Sequence, residues 1–301
     1  MSAEPMSDRV SDRVETATRN HLISPHNRGE TRNDSTRANG AGSPLAPRLE
    51  RLSQQLSETD RLVIEALARV RMAAGGQLNR LIWPTTPAGA RTCRRHLQRL
   101  TELRVVTRLH RQVGGIKGGS QGYTYALDVN GQRLAQTLQH QTVRRPTPSD
   151  LFLDHTLGVT EVYVQLHENP HVEMLEFETE PTCWRSFPGP AGRTVTLRPD
   201  AYIAWAVGEW ELSAFLEVDR ATEHPGRIAR KAQQYVRYWR TGNEQRLKDV
   251  FPTVLWLVTN IRRAEVLRAV LADHEAGPLS EVVTAEGLPS YITNTRREGQ
   301  P

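Results

Sequence analysis

Cysteine is scarce in this chain: Cys93 and Cys183 are the only two in 301 residues, and they sit in unrelated segments. They suggest neither a disulfide framework nor a zinc site, and point to a reducing cytoplasm. Long apolar runs are missing too. None approaches the ~18 residues of a membrane span, so no membrane partner is expected. The first residues are rich in Ser, Asp and Arg, without a signal-peptide core. Phosphate-binding loops, dinucleotide fingerprints, nucleophile elbows and metalloprotease motifs are all absent, and so are the reasons to expect their chemistry. What remains is a polar chain, 38% hydrophobic and 24% charged, long enough for two domains and tails.

Its net charge of +5 hides an asymmetry. Residues 86–148 hold 11 Lys and Arg against 2 acids, a net +9, while 149–301 hold 16 against 22, a net −6. A basic first half joined to an acidic second half fits a nucleic-acid reader tethered to something else.

Residues 1–48 lack apolar periodicity and read as a disordered tail. A first domain is expected over 49–140. Ser57 caps a helix in which Val63, Leu67, Val70 and Ala74 recur at helical spacing, and Gly75-Gly76 breaks it. A short helix runs to Trp83. Thr86 caps the next, with Pro87 at its first position. In that third helix, Ala88 to Leu103, the positions Ala90, Cys93, Leu97 and Leu100 face inward. Arg91, Arg94, Arg95 and Gln98 cover the other side, with Arg99 at the flank. A strand (Val105 to Leu109), a Gly-rich tip and a return strand (Tyr123 to Leu127) follow. This is the order of a winged helix-turn-helix. An Arg-lined helix fits the major groove of double-stranded DNA, and Arg108 and Lys117 add backbone contacts from the wing. The alternatives are a solvated amphipathic helix or a protein-docking module.

A linker is expected at 141–149, an α/β domain at 150–285 and a polar tail at 286–301. The domain reads α-β-β-β-α-β-α, a mixed sheet flanked by helices. Residues 178–192 read as an irregular connection. Val254 to Val258 is a continuous apolar run, as in a central strand covered on both faces. Asp200 opens the strand Ala201 to Trp205; Glu217 and Asp219 end the next. At period two, Glu217 and Asp219 share a face. Oxygen ligands so arranged suit a hard divalent cation. Two alternatives stay open: a structural network with Arg220, Arg227 or Lys231, and a fold that only grips DNA. His155 reads more simply as a packing or hydrogen-bonding residue, and Tyr235 as core, than as site residues.

Pro199-Asp200 followed by Glu217-x-Asp219, in that element order, resembles the PD-(D/E)xK nuclease superfamily with its restriction-endonuclease-like fold. The resemblance implies metal binding by Asp200 and Glu217 and a lysine that activates water. Asp219 stands where that lysine is expected, and Lys231 on the next helix is the candidate migrant; Glu161 on the first helix could add an acid. Over about 50–260 the chain resembles the replication-relaxation family of plasmid and mobile-element proteins. The matching stretches include Leu56 to Arg61, Arg95 to Leu100, Asp154 to Val159, Arg198-Pro199-Asp200 and Phe215 to Glu223. That resemblance implies a DNA-binding role in replication, relaxation or maintenance, with other replication or transfer proteins as partners and a homodimer left open. Catalysis by Asp200, Glu217, Asp219 and Lys231 as an Mg-dependent nicking or cleaving enzyme is the alternative reading.

Overall fold

The structure is a computed structural model that describes residues 45–111, 122–139, 150–189, 192–221 and 223–294. The N-terminal tail up to residue 44, the wing tip with Lys117 and the 141–149 linker lie outside the described residues.

The first half opens with α1 (Leu45–Gln55), inside the stretch expected to be a disordered tail. Leu45, Leu49, Leu52 and Leu56 recur at i, i+4, i+7 and i+11, and Pro47 sits in the first turn, where its missing N–H costs nothing. Leu52 and Leu56 pack onto the core. Next comes α2 (Glu58–Val70), held by the reciprocal cap between Ser57 and Asp60. It stops sooner than expected. Arg71, at φ 68°, turns the chain, and its N–H bonds back to the Leu67 carbonyl. A short strand β1 (Met72–Ala74) then precedes α3 (Gly75–Ile82), so Gly75-Gly76 opens a helix instead of ending one. Thr86 caps α4 (Pro87–Glu102) by accepting the Gly89 N–H. The strands β2 (Val106–Arg111) and β3 (Tyr123–Leu127) follow, then α5 (Val129–Gln139). The three strands form an antiparallel sheet ordered β1-β3-β2.

The second half starts with α6 (Asp150–Glu168) and β4 (Glu173–Thr179). The connection expected to be irregular contains β5 (Arg185–Pro188), paired with β6 (Thr194–Leu197). Then come β7 (Ala201–Val207), β8 (Trp210–Asp219), α7 (Pro225–Trp239) and α8 (Asn243–Lys248). After them follow β9 (Thr253–Val258), α9 (Ile261–Ala272), β10 (Ser280–Thr284) and α10 (Leu288–Thr293). The polar tail expected from 286 therefore contains a helix, anchored by buried Leu288 and Ile292.

A five-stranded mixed sheet, ordered β10-β9-β8-β7-β4, is the centre of this half, as the α/β reading requires. β4, β7 and β8 pair antiparallel, whereas β8-β9 and β9-β10 are parallel. Side-chain alternation divides β8 and β9 between two layers. Leu216, Val218, Leu255 and Leu257 share a core with α6 and α10, while Phe215, Val254, Trp256 and Val258 share one with α7 and α9. The first of these cores continues into the first half through Leu67, Leu97 and Tyr125. Polar ties run beside it. Thr160 donates to the Met72 carbonyl at 2.7 Å, and Arg80 reaches from α3 to Glu161 and Glu168 on α6.

Candidate functional site

The sheet register assembles the carboxylate centre. Ala201 pairs with Leu216 in the antiparallel β7-β8 ladder, so Asp200 stands opposite Glu217. Both acids are buried, at 8% and 2% exposure. Each oxygen has a protein partner. Asp200 Oδ2 accepts the Val218 N–H at 2.7 Å, and Oδ1 lies 3.0 Å from His155 Nε2. Glu217 Oε2 lies 2.5 Å from Lys231 Nζ, and its Oε1 accepts the Tyr235 hydroxyl at 2.6 Å.

The helix α7 supplies two of these partners because Lys231 and Tyr235 are four residues apart on one face. His224 and Pro225 set its start: the His224 side chain accepts the Gly226 N–H. Burial pushes the Glu217 carboxyl up, and Asp200 adds to the push; Lys231 and Tyr235 pull it back only in part. Burial disfavours the Lys231 ammonium, but Glu217 and then Asp200 outweigh it and hold its pKa above the ordinary value. For His155, burial again opposes charge, and the Asp200 hydrogen bond and charge reverse the sign, so its pKa is raised. The physical picture is one ammonium neutralising a buried pair of acids.

Two residues expected at the centre are engaged elsewhere. Asp219 shares the face of Glu217 but forms a two-pronged pair with Arg263 of α9, with Nη2 to Oδ2 at 2.6 Å. It also accepts the Ala221 N–H, at 2.5 Å. Glu161 accepts hydrogen bonds from Gln77 and Arg80. The side chain that α6 brings to Asp200 is His155 instead. Asp200, Glu217 and Lys231 come together; Asp219 and Glu161 do not join them. Among the described residues no group of three or more His, Cys, Asp or Glu is arranged to hold a metal ion. Mg²⁺ commonly takes one or two carboxylates and completes its shell with water and phosphate, but here every oxygen of Asp200 and Glu217 already has a protein partner.

His155 is hydrogen-bonded and Tyr235 buried, as expected of them, but their partners are Asp200 and Glu217, and Arg263 is not singled out by the sequence at all. The i, i+4 spacing of Lys231 and Tyr235 was the one available signal. His155 and Arg263 reach their partners through tertiary packing alone.

The basic face is built on α4. Cys93, Leu97 and Leu100 are buried, and Arg91, Arg94, Arg95 and Gln98 are exposed. Neither Arg91 nor Arg94 forms an ion pair with a described residue. Gln98 bonds to Glu102 along the same helix. Arg99 is turned the other way: it donates to Asp60 and to the Gln55 carbonyl, both at 2.6 Å. His96 reaches the same Asp60 at 2.9 Å, so two residues of α4 lock it to the start of α2. Arg108 is exposed on β2, its guanidinium 4.9 Å from the centre of the Tyr123 ring.

Fold and site together define a mixed α/β protein with a basic helical head and a buried Asp-Glu-Lys centre. The chain belongs to the replication-relaxation family, whose model matches residues 64–254, from within α2 to the start of β9. The matched span contains α4, Asp200, Glu217 and Lys231. Neither curated proteins nor solved structures gave a match. Among the described residues no helix is long and apolar enough to cross a membrane.

Proposed function

We propose that this protein binds double-stranded DNA in the cytoplasm during replication or relaxation of a plasmid or other mobile element. Its first half is read as a winged helix, with α4 in the major groove, and its second half as a nuclease-like scaffold. The observation that carries this reading is the division of α4 into a packed face and an arginine face. Arg91, Arg94 and Arg95 project from a helix whose only acid is Glu102, at its far end. Guanidinium groups in that position pair with guanine edges or phosphates. A gel-shift or anisotropy titration with duplex DNA tests it. Arg91→Ala with Arg95→Ala should lower the slope of log K against log salt by about 1.8, at roughly 0.9 per phosphate contact. Unchanged binding would remove α4 from the interface.

A second reading, Mg-dependent nicking or cleavage, is favoured by one contact: Lys231 reaches Glu217, as a migrated lysine must. The saturation of Asp200 and Glu217 by protein donors favours the scaffold. Were Mg²⁺ bound, Asp200 and Glu217 would hold it, and the ion would supply a water of lowered pKa. Supercoiled plasmid incubated with the protein and Mg²⁺ or Mn²⁺ separates the readings. Relaxed or linear product that vanishes in Asp200→Ala and Glu217→Ala marks an enzyme, and intact plasmid marks the scaffold.

A further inference from the structure

We infer that α7 carries a second DNA-backbone surface, beside the Asp200-Glu217-Lys231 centre and separate from α4. The inference rests on the proposal that this is a DNA-binding protein and extends it to the acidic half.

The first observation is composition against background. Residues 149–301 contain 22 acids and a net charge of −6. Within them α7 (PGRIARKAQQYVRYW) holds Arg227, Arg230, Lys231 and Arg237 and no acid at all. Surface helices that merely stay soluble mix both signs.

The second observation is direction. Ile228, Ala232, Tyr235 and Val236 are buried against the sheet. Arg227, Arg230 and Arg237, at i, i+3 and i+10, are exposed on the opposite side. At 3.6 residues per turn Arg230 and Arg237 lie about 20° apart in azimuth and Arg227 roughly 60–80° to one side, so the guanidinium groups form one broad stripe, about 15 Å long at 1.5 Å per residue. That length is several times the roughly 3.4 Å axial rise per nucleotide of a strand, enough to meet more than one phosphate.

The third observation is that the acids nearby leave most of the stripe unpaired. Arg227 has an exposed pair with Glu223 at 3.3 Å, which is worth little. Among the described residues, Arg230 bonds to the Gly226 carbonyl of its own helix and forms no ion pair. Arg237 has no ion pair with a described residue. By contrast, Arg240, just past the helix end, is paired with Glu275. Cations left unpaired in an acid-rich half, on the helix that delivers Lys231 to Glu217, fit the polyanion that the centre would have to approach.

The test uses the full chain and a 30-base-pair duplex of mixed sequence, with affinity measured by anisotropy across a salt series. Arg230→Gln with Arg237→Gln should reduce the log-log slope by about 1.8, and Arg230→Lys with Arg237→Lys should keep it, since charge alone is needed. Circular dichroism of both variants should match the parent. A Gln variant that is folded and keeps the full slope overturns the inference. The α4 variant, Arg91→Ala with Arg95→Ala, is run alongside. Slope lost there and kept in the α7 variant refutes the α7 surface alone. Slope lost in the α7 variant and kept there refutes the α4 reading alone. A parent that binds no duplex refutes both.

Discussion

Lys231 is the residue on which the centre balances. Its ammonium is the counter-charge for Glu217, 2% exposed, and for Asp200 opposite it. Removing one partner of a buried pair leaves a bare charge and costs about 3–5 kcal/mol, whereas removing both is often close to neutral. Lys231→Met should therefore destabilise strongly, and Lys231→Met combined with Glu217→Gln should recover much of the loss. Urea titrations of the four members of that cycle check this; additive losses would show that the pair is not coupled. Asp60 is the corresponding residue in the first half. Burial raises its carboxyl pKa, but hydrogen bonds from His96, Ser57 and Arg99 outweigh burial and hold it below its ordinary 3.8. A lowered folded-state pKa stabilises above the unfolded value and is lost as pH falls through the folded one. Asp60→Asn should thus lower the urea midpoint at pH 7, with the gap to the parent closing below about pH 4. A gap that stays constant with pH would mean that the charge of Asp60 does not matter. Of these residues, Asp200 and Glu217 were legible from strand alternation and a shared motif. Asp219 was placed on the right face, but Arg263 lies 44 positions away, and only the parallel pairing of β8 with β9 brings α9 beside it.

At the scale of elements, legibility followed length. α4, α7 and β9 carry enough periodic or continuous apolar residues to be read directly. β1 and β5 have three and four residues, too few for any period, and exist because β3 and β6 offer them partners. α10 is short and polar outside, and two buried side chains hold it. The long helix α6 shows what a close approach demands. A Cβ placed on Gly158 would lie 2.9 Å from Val218 Cγ1, on the strand that carries Glu217. Gly158→Val should push α6 off β8 and destabilise by about 1–3 kcal/mol. A thermal or urea midpoint equal to the parent's would show that α6 can shift without cost.

For the whole molecule, the charge asymmetry was visible in composition, because it needs only counting. The joint between the halves was not. It consists of Arg80 to Glu161 and Glu168, Arg71 to Glu180, Gln77 to Glu161 and a continuous core. None of these pairs has a sequence spacing that marks it. A shared core makes the two halves one cooperative system. Fluorescence from Trp83, Trp205 and Trp256 and far-UV dichroism should report one coincident unfolding transition. Two separated midpoints would show that the joint is weak.

α6 belongs to both halves at once. Along one side it meets β1 and α3, through the Thr160 hydroxyl and Glu161; near its start it offers His155 to Asp200. A single stiff rod therefore links the seat of the arginine-faced α4 and its neighbours to the acid pair. If DNA binds at α4, as proposed, any free energy it adds by favouring one seating of that rod would appear as an equal change in how a ligand at the acid pair favours it, and the exchange would run both ways. Occupancy of one end is in that sense a message to the other, carried by nineteen residues of helix.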